Sequence, residues 1–161
     1  MEEHERGRDD EAPDPRDADG SRQGGPDDHV AEPDGARDPG REESAYALLQ
    51  RGASLMRGRH NAQASIVLER AARLEPGKAS ILEALGRALY NSGQHARAAE
   101  TFEALLEIDP SGHYAHYALG QSLKQLGRLR EARTHLRLAT ALSPESRLYS
   151  GALARLPADP A

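Results

Sequence analysis

Between Ala79 and Pro110 the apolar residues Leu82, Leu85 and Leu89, then Ala98, Phe102, Leu105 and Ile108, fall at three- and four-residue steps. That spacing lays one apolar stripe along each of two helices. The polar run Asn91-Ser92-Gly93-Gln94 separates the stripes and predicts a tight turn between them. The same pattern returns 34 residues earlier and 34 residues later: glycine at Gly52, Gly86 and Gly120, alanine at Ala64, Ala98 and Ala132, proline at Pro76, Pro110 and Pro144. Further columns are Leu48, Leu82 and His116; Leu55, Leu89 and Leu123; Leu68, Phe102 and Leu136; Ala71, Leu105 and Ala139; and Leu74, Ile108 and Leu142. Eight columns in one ungapped register define a structural repeat. The expectation is an all-α solenoid of three helix-turn-helix repeats over 45–78, 79–112 and 113–146.

Gly86 and Ala98 carry no large side chain, so the paired helix backbones are expected to approach closely there. Pro110 and Pro144 are expected to close one unit and open the next, because proline fits a first helical turn but not a helix interior. Ser143-Pro144-Glu145 then predicts a further helix capped by Ser143, with an acid in its first turn. Leu148, Ala152 and Leu156, with Leu153 beside them, give that helix an apolar face, and over 147–161 it is expected to cap the stack. The first helix has no such cover.

In its spacing and in its Gly, Ala, Leu/aromatic and Pro columns, the stretch 45–146 resembles the tetratricopeptide repeat family. It departs from the family pattern at His116, where a large apolar side chain is usual, and at Arg51, where the later copies carry Leu85 and Leu119. The resemblance implies that first helices of successive pairs line a concave face where peptides or helices of partner proteins dock. On that basis Tyr46, Leu49, Ala53 and Met56, then Glu83, Arg87, Tyr90 and Asn91, then Tyr114, Tyr117, Gln121 and Lys124 are the candidate groove residues. Four of the chain's five tyrosines belong to this set. Amphipathic rings on a rigid wall supply contact area at low entropic cost, and their hydroxyls can hold a backbone. Chaperone-binding members hold their partner's terminal carboxylate with a clamp of Lys, Asn and Arg; the matching positions here are Leu49, Ala53, Ala84, Tyr114 and Ala118, which argues against capture of chaperone tails.

Charge divides the chain. Residues 1–43 hold 16 acids against 6 arginines, with five prolines, six glycines and Val30 as the lone branched aliphatic. Subtracting these from the totals of 26 acids and 21 bases leaves 10 acids and 15 bases in 44–161. A segment so poor in apolar surface is expected to be disordered, because it cannot offset a backbone entropy of roughly 1–2 kcal/mol per residue. Such a tail either keeps the repeats in solution or folds back transiently on the basic part of the chain. The acidic start Met1-Glu2-Glu3-His4-Glu5 is the reverse of a secretory signal, so a cytoplasmic location is expected.

Chemistry is harder to place. His113 and His116 share a helix face, but no third ligand accompanies them, and a packed, hydrogen-bonded His116 is the expectation. His60 and His95 are expected to be solvated turn residues. With no cysteine, phosphate loop or nucleophile elbow in the sequence, neither catalysis nor a cofactor or metal is expected. Arg130, Arg133 and Arg137 form a basic stripe, yet without interleaved aromatics it reads as a solvated face rather than a nucleic-acid site. The expected role is a non-catalytic adaptor for a protein or peptide. The alternative is a regulatory or stabilising subunit that meets its partner through the convex face or the repeat ends. Self-association through the open first helix also stays open.

Overall fold

The computed structural model describes residues 42–158, which form seven helices and no strand. They are α1 (Ala45–Arg57), α2 (Asn61–Leu74), α3 (Ala79–Asn91), α4 (His95–Ile108), α5 (His113–Gln125), α6 (Leu129–Leu142) and α7 (Arg147–Ala154). The acidic segment 1–43 lies outside the described residues except for Glu42 and Glu43. Among the described residues no helix is long and apolar enough to cross a membrane.

Two kinds of turn, each repeated, set the topology. Inside a hairpin the first helix ends on a left-handed residue, Arg59, Gly93 or Gly127, with φ of 62°, 81° and 75°. The next residue's N–H then reaches back: His60 to the Leu55 carbonyl at 2.8 Å, Gln94 to Leu89 at 2.9 Å and Arg128 to Leu123 at 2.9 Å. This closes otherwise unsatisfied helix-end carbonyls. Between hairpins, Lys78 donates to the Glu75 carbonyl (3.4 Å), Gly112 to Asp109 (3.1 Å) and Ser146 to Ser143 (3.1 Å). Pro76, Pro110 and Pro144 occupy the second position of these four-residue turns, where a fixed φ is favourable and no N–H is needed. The prolines therefore shape the inter-repeat turn and do not open the following helix, which corrects the expectation from sequence.

Within each hairpin the glycine column faces the large-residue column. A Cβ on Gly52 would stand 2.5 Å from Leu68 Cγ, one on Gly86 2.7 Å from the Phe102 ring, and one on Gly120 2.8 Å from Leu136 Cγ. Only a missing side chain lets those rings and branches reach the opposing backbone. Ala64, Ala98 and Ala132 are fully buried on the partner helices, and Phe102 is 1% exposed. Burying a side chain of that size contributes about 3 kcal/mol. From one repeat to the next, α1 touches α3 and α3 touches α5, more closely than the second helices touch one another. The first helices thus form the inner wall.

Three packing expectations change. Leu74, Ile108 and Leu142, each the last residue of its helix, are 50%, 47% and 44% exposed, so this column does not join the core. The last helix is capped by Ser146, whose hydroxyl accepts from the Tyr149 N–H, while Ser143 ends α6. Its buried face is consequently Tyr149, Ala152 and Leu156, and Leu148 is half exposed. Arg51, in the column of Leu85 and Leu119, meets Glu43 at 3.3 Å instead of a preceding repeat.

Candidate interaction groove

On α3 the stripe residues Leu85 and Leu89 turn inward, and on α5 Ala115, Leu119 and Leu123 do the same. The intervening positions are left to the space between the two helices. There Arg87, Tyr90 and Asn91 face Tyr114, Tyr117, Ala118 and Gln121 across a cleft of about 260 Å³. No carboxylate lines it.

The tyrosines belong to a chain of aromatic contacts. Phe102 meets Tyr114 edge-on (centroids 6.4 Å, 82°), Tyr114 lies 6.3 Å from Tyr117, and Tyr117 lies 5.0 Å from Tyr149 at 31°. Such contacts fix ring orientation beyond what burial alone would do. Tyr149 is anchored from behind, its hydroxyl 2.8 Å from His113 Nδ1. The Gln121 amide donates to the Tyr117 hydroxyl at 3.2 Å. Burial pushes the Tyr114 phenol above its ordinary range, against the opposing pull of the Arg87 charge, so this group stays a protonated donor. Burial does the same to Tyr149, with Tyr117 next in effect.

Six of the twelve candidate residues, Arg87, Tyr90, Asn91, Tyr114, Tyr117 and Gln121, thus share one cleft. The other six do not line it. Tyr46 is 65% exposed and accepts from the Gln50 amide. Leu49 and Met56 pack on the core, Ala53 and Lys124 are half-buried, and Glu83 is exposed. Sequence reasoning passed over Tyr149 as a wall residue, although its i, i+3, i+7 relation to Ala152 and Leu156 was a usable signal.

The histidines sort differently. His116 is buried, with Nε2 3.0 Å from the Pro110 carbonyl oxygen and Nδ1 3.0 Å from His135 Nδ1. His113 instead reaches Tyr149, so the two histidines of one face serve separate partners. His95 is not solvated as the sequence suggested: its ring packs edge-on against Tyr90 at 5.0 Å, and its Nδ1 is buried without a hydrogen bond. His60 is exposed. Among the described residues no group of three or more His, Cys, Asp or Glu is placed to hold a metal ion. In the basic stripe, Arg133 donates to the Pro157 carbonyl and ties α6 to the segment that follows α7.

Stacked helical hairpins with a small-against-large contact in each define a helical-repeat solenoid. Two family models, both described as tetratricopeptide repeat, match residues 49–113 and 92–156. The chain belongs to the tetratricopeptide repeat family. No curated protein sequence matches it. Among solved structures it is similar to the Arabidopsis OM64 TPR domain, at 20% identity and TM-score 0.67 over 70% of this chain and 93% of that one. It is similar also to YrrB, described as a TPR protein with an unusual peptide-binding site, at 24% identity and TM-score 0.66 over 69% of this chain and 57% of that one. A third is the first TPR of Spaghetti (RPAP3) bound to the HSP90 peptide SRMEEVD, at 16% identity and TM-score 0.67 over 70% and 90% of the two chains. At these identities the likeness is one of fold.

Proposed function

We propose that this protein is a non-catalytic adaptor that binds a short peptide or helix of a partner protein in the cleft between α3 and α5. The observation that carries the reading is the tyrosine-lined wall: Tyr90, Tyr114 and Tyr117 converge on one space, held by ring contacts and backed by Tyr149. Two similar structures, YrrB and the RPAP3 domain, are described with peptide binding, which supports a protein partner in general. A cleft of this size grips one or two side chains, so an affinity near micromolar, about −8 kcal/mol, is expected. Quantitative affinity capture with the full chain, wild type beside Tyr90→Ala/Tyr117→Ala, tests it. A partner enriched by the wild type should be lost from the double variant, and equal retention would reject the cleft.

A second reading has its own observation. Leu74, Ile108 and Leu142 stand exposed one repeat apart at the ends of the second helices, which suits a subunit that meets a larger assembly by that edge. Ile108→Arg would abolish capture in that case and leave it intact if the cleft is used.

A further inference from the structure

Every polar group that faces the cleft can donate a hydrogen bond, and none carries negative charge. The set comprises the Arg87 guanidinium, the Asn91 and Gln121 amides and three phenols. Arg87 is exposed and makes no hydrogen bond or ion pair with another described residue. Glu83 lies one turn away on α3, a spacing that commonly supports an ion pair, yet no salt bridge joins them. Four basic side chains of the repeats are paired, Arg51 with Glu43, Lys78 with Glu75, Arg97 with Glu69 and Arg128 with Glu131. Arg87 is set apart from the remaining ones by lining the cleft beside the tyrosine rings. A cation left unpaired beside apolar rings has an open valence of a specific kind. Its planar fork matches a carboxylate in two parallel N–H bonds.

Resting on the cleft reading above, we propose that Arg87, with the Asn91 and Gln121 amides, forms a subsite for an Asp or Glu side chain within a partner segment. An aromatic or aliphatic neighbour of that acid then lies on Tyr114 and Tyr117. The two requirements are adjacent because Arg87 and the two rings line the same cleft from opposite helices. Arg87 is not one of the positions aligned above with the chaperone-tail clamp, so the specificity it confers is for an acid inside a sequence and not for a chain end. The cleft's charge also predicts discrimination: a Lys or Arg in the partner at that point would face the like charge of Arg87, moderated by solvent and by Glu83 one turn away.

The test is selection of random dodecapeptides displayed on phage against the immobilised full chain, with enriched sequences resynthesised as fluorescein-labelled peptides, each in a C-terminally amidated and a free-carboxylate form. Anisotropy titrations compare the wild type with Arg87→Glu, Arg87→Lys and Tyr114→Ala/Tyr117→Ala, each checked for unchanged helical circular dichroism. Enriched peptides should carry Asp or Glu within two residues of an aromatic or aliphatic side chain. Arg87→Glu should weaken them about tenfold or more, and Arg87→Lys less than that, with affinity falling as salt rises. Loss of binding in the tyrosine variant but none in Arg87→Glu would overturn the acid subsite and leave the cleft standing. Binding untouched in both would overturn the cleft itself. Peptides that bind only with a free C-terminal carboxylate would overturn the choice of an internal acid.

Discussion

The two ends of the stack are finished by opposite means. At the C-terminal end a whole helix is added, and α7 lays Tyr149, Ala152 and Leu156 over the third hairpin. At the N-terminal end nothing is added among the described residues; one column is altered instead, so that Arg51 stands where Leu85 and Leu119 are buried, and it pairs with Glu43 at the edge. A stack of identical units must end somewhere, and its last apolar face is either covered or made polar. Covering keeps a buried aromatic system next to the cleft. The polar solution leaves the first hairpin with exposed Tyr46 and Ile66, 65% and 63% accessible. The cleft lies between hairpins two and three, on the covered side.

Exchanging the two solutions gives the largest effect. Leu119 is 1% exposed, so Leu119→Arg strands a charge in the core and should cost about 4 kcal/mol in urea unfolding. The reciprocal Arg51→Leu should change stability by about 0.5 kcal/mol or less, because only a partly exposed ion pair is removed. Ending the chain after Ser146 removes the covering helix and should cost about 3 kcal/mol, read from the same denaturation curves. Taking away the N-terminal ion pair with Glu43→Gln should be barely measurable.

A smaller effect sharpens the contrast inside the first hairpin. Arg59 adopts the left-handed conformation that Gly93 and Gly127 supply in the later copies. Arg59→Gly should therefore stabilise the protein by about 1 kcal/mol, whereas Gly93→Arg should destabilise it by a similar amount in thermal melts. The smallest effect is confined to the third hairpin. Burial, and next the nearby His116, make His135 a weaker base than a free histidine, with Glu131 opposing. The unfolded chain therefore takes up the proton first. Stability should fall as pH drops from about 7.5 to about 5.5, through the ordinary histidine range, and His135→Gln should flatten that slope. A midpoint that rises on acidification would contradict the geometry of the pair.

The repeat was legible because close helix approach leaves a mark that no surface demand can imitate. Gly52, Gly86 and Gly120 can be nothing larger opposite Leu68, Phe102 and Leu136, so their spacing persists through every other change. Periodicity identifies equivalent positions without saying which way they point. Leu74, Ile108 and Leu142 repeat as faithfully as the glycines and yet are exposed, since each is the last residue of its helix. The final helix is capped three residues later than the sequence suggests, because two serines compete for that place and Ser146 takes it; Tyr149, not Leu148, is then buried beside Ala152 and Leu156. The groove set was drawn from the family's geometry for all three first helices. The cleft described above lies between α3 and α5, where large rings stand on both sides. In α1 the corresponding places hold Leu49 and Ala53, which build no opposing wall.

Tyr149 gives the terminal helix a second office. Its ring leans on Tyr117 and its hydroxyl meets His113, so fraying of α7 would release a wall of the cleft two helices earlier in the chain. On the proposed reading, a segment seated against Tyr117 favours the docked α7, and slower amide exchange along α7 is the expected sign of occupancy.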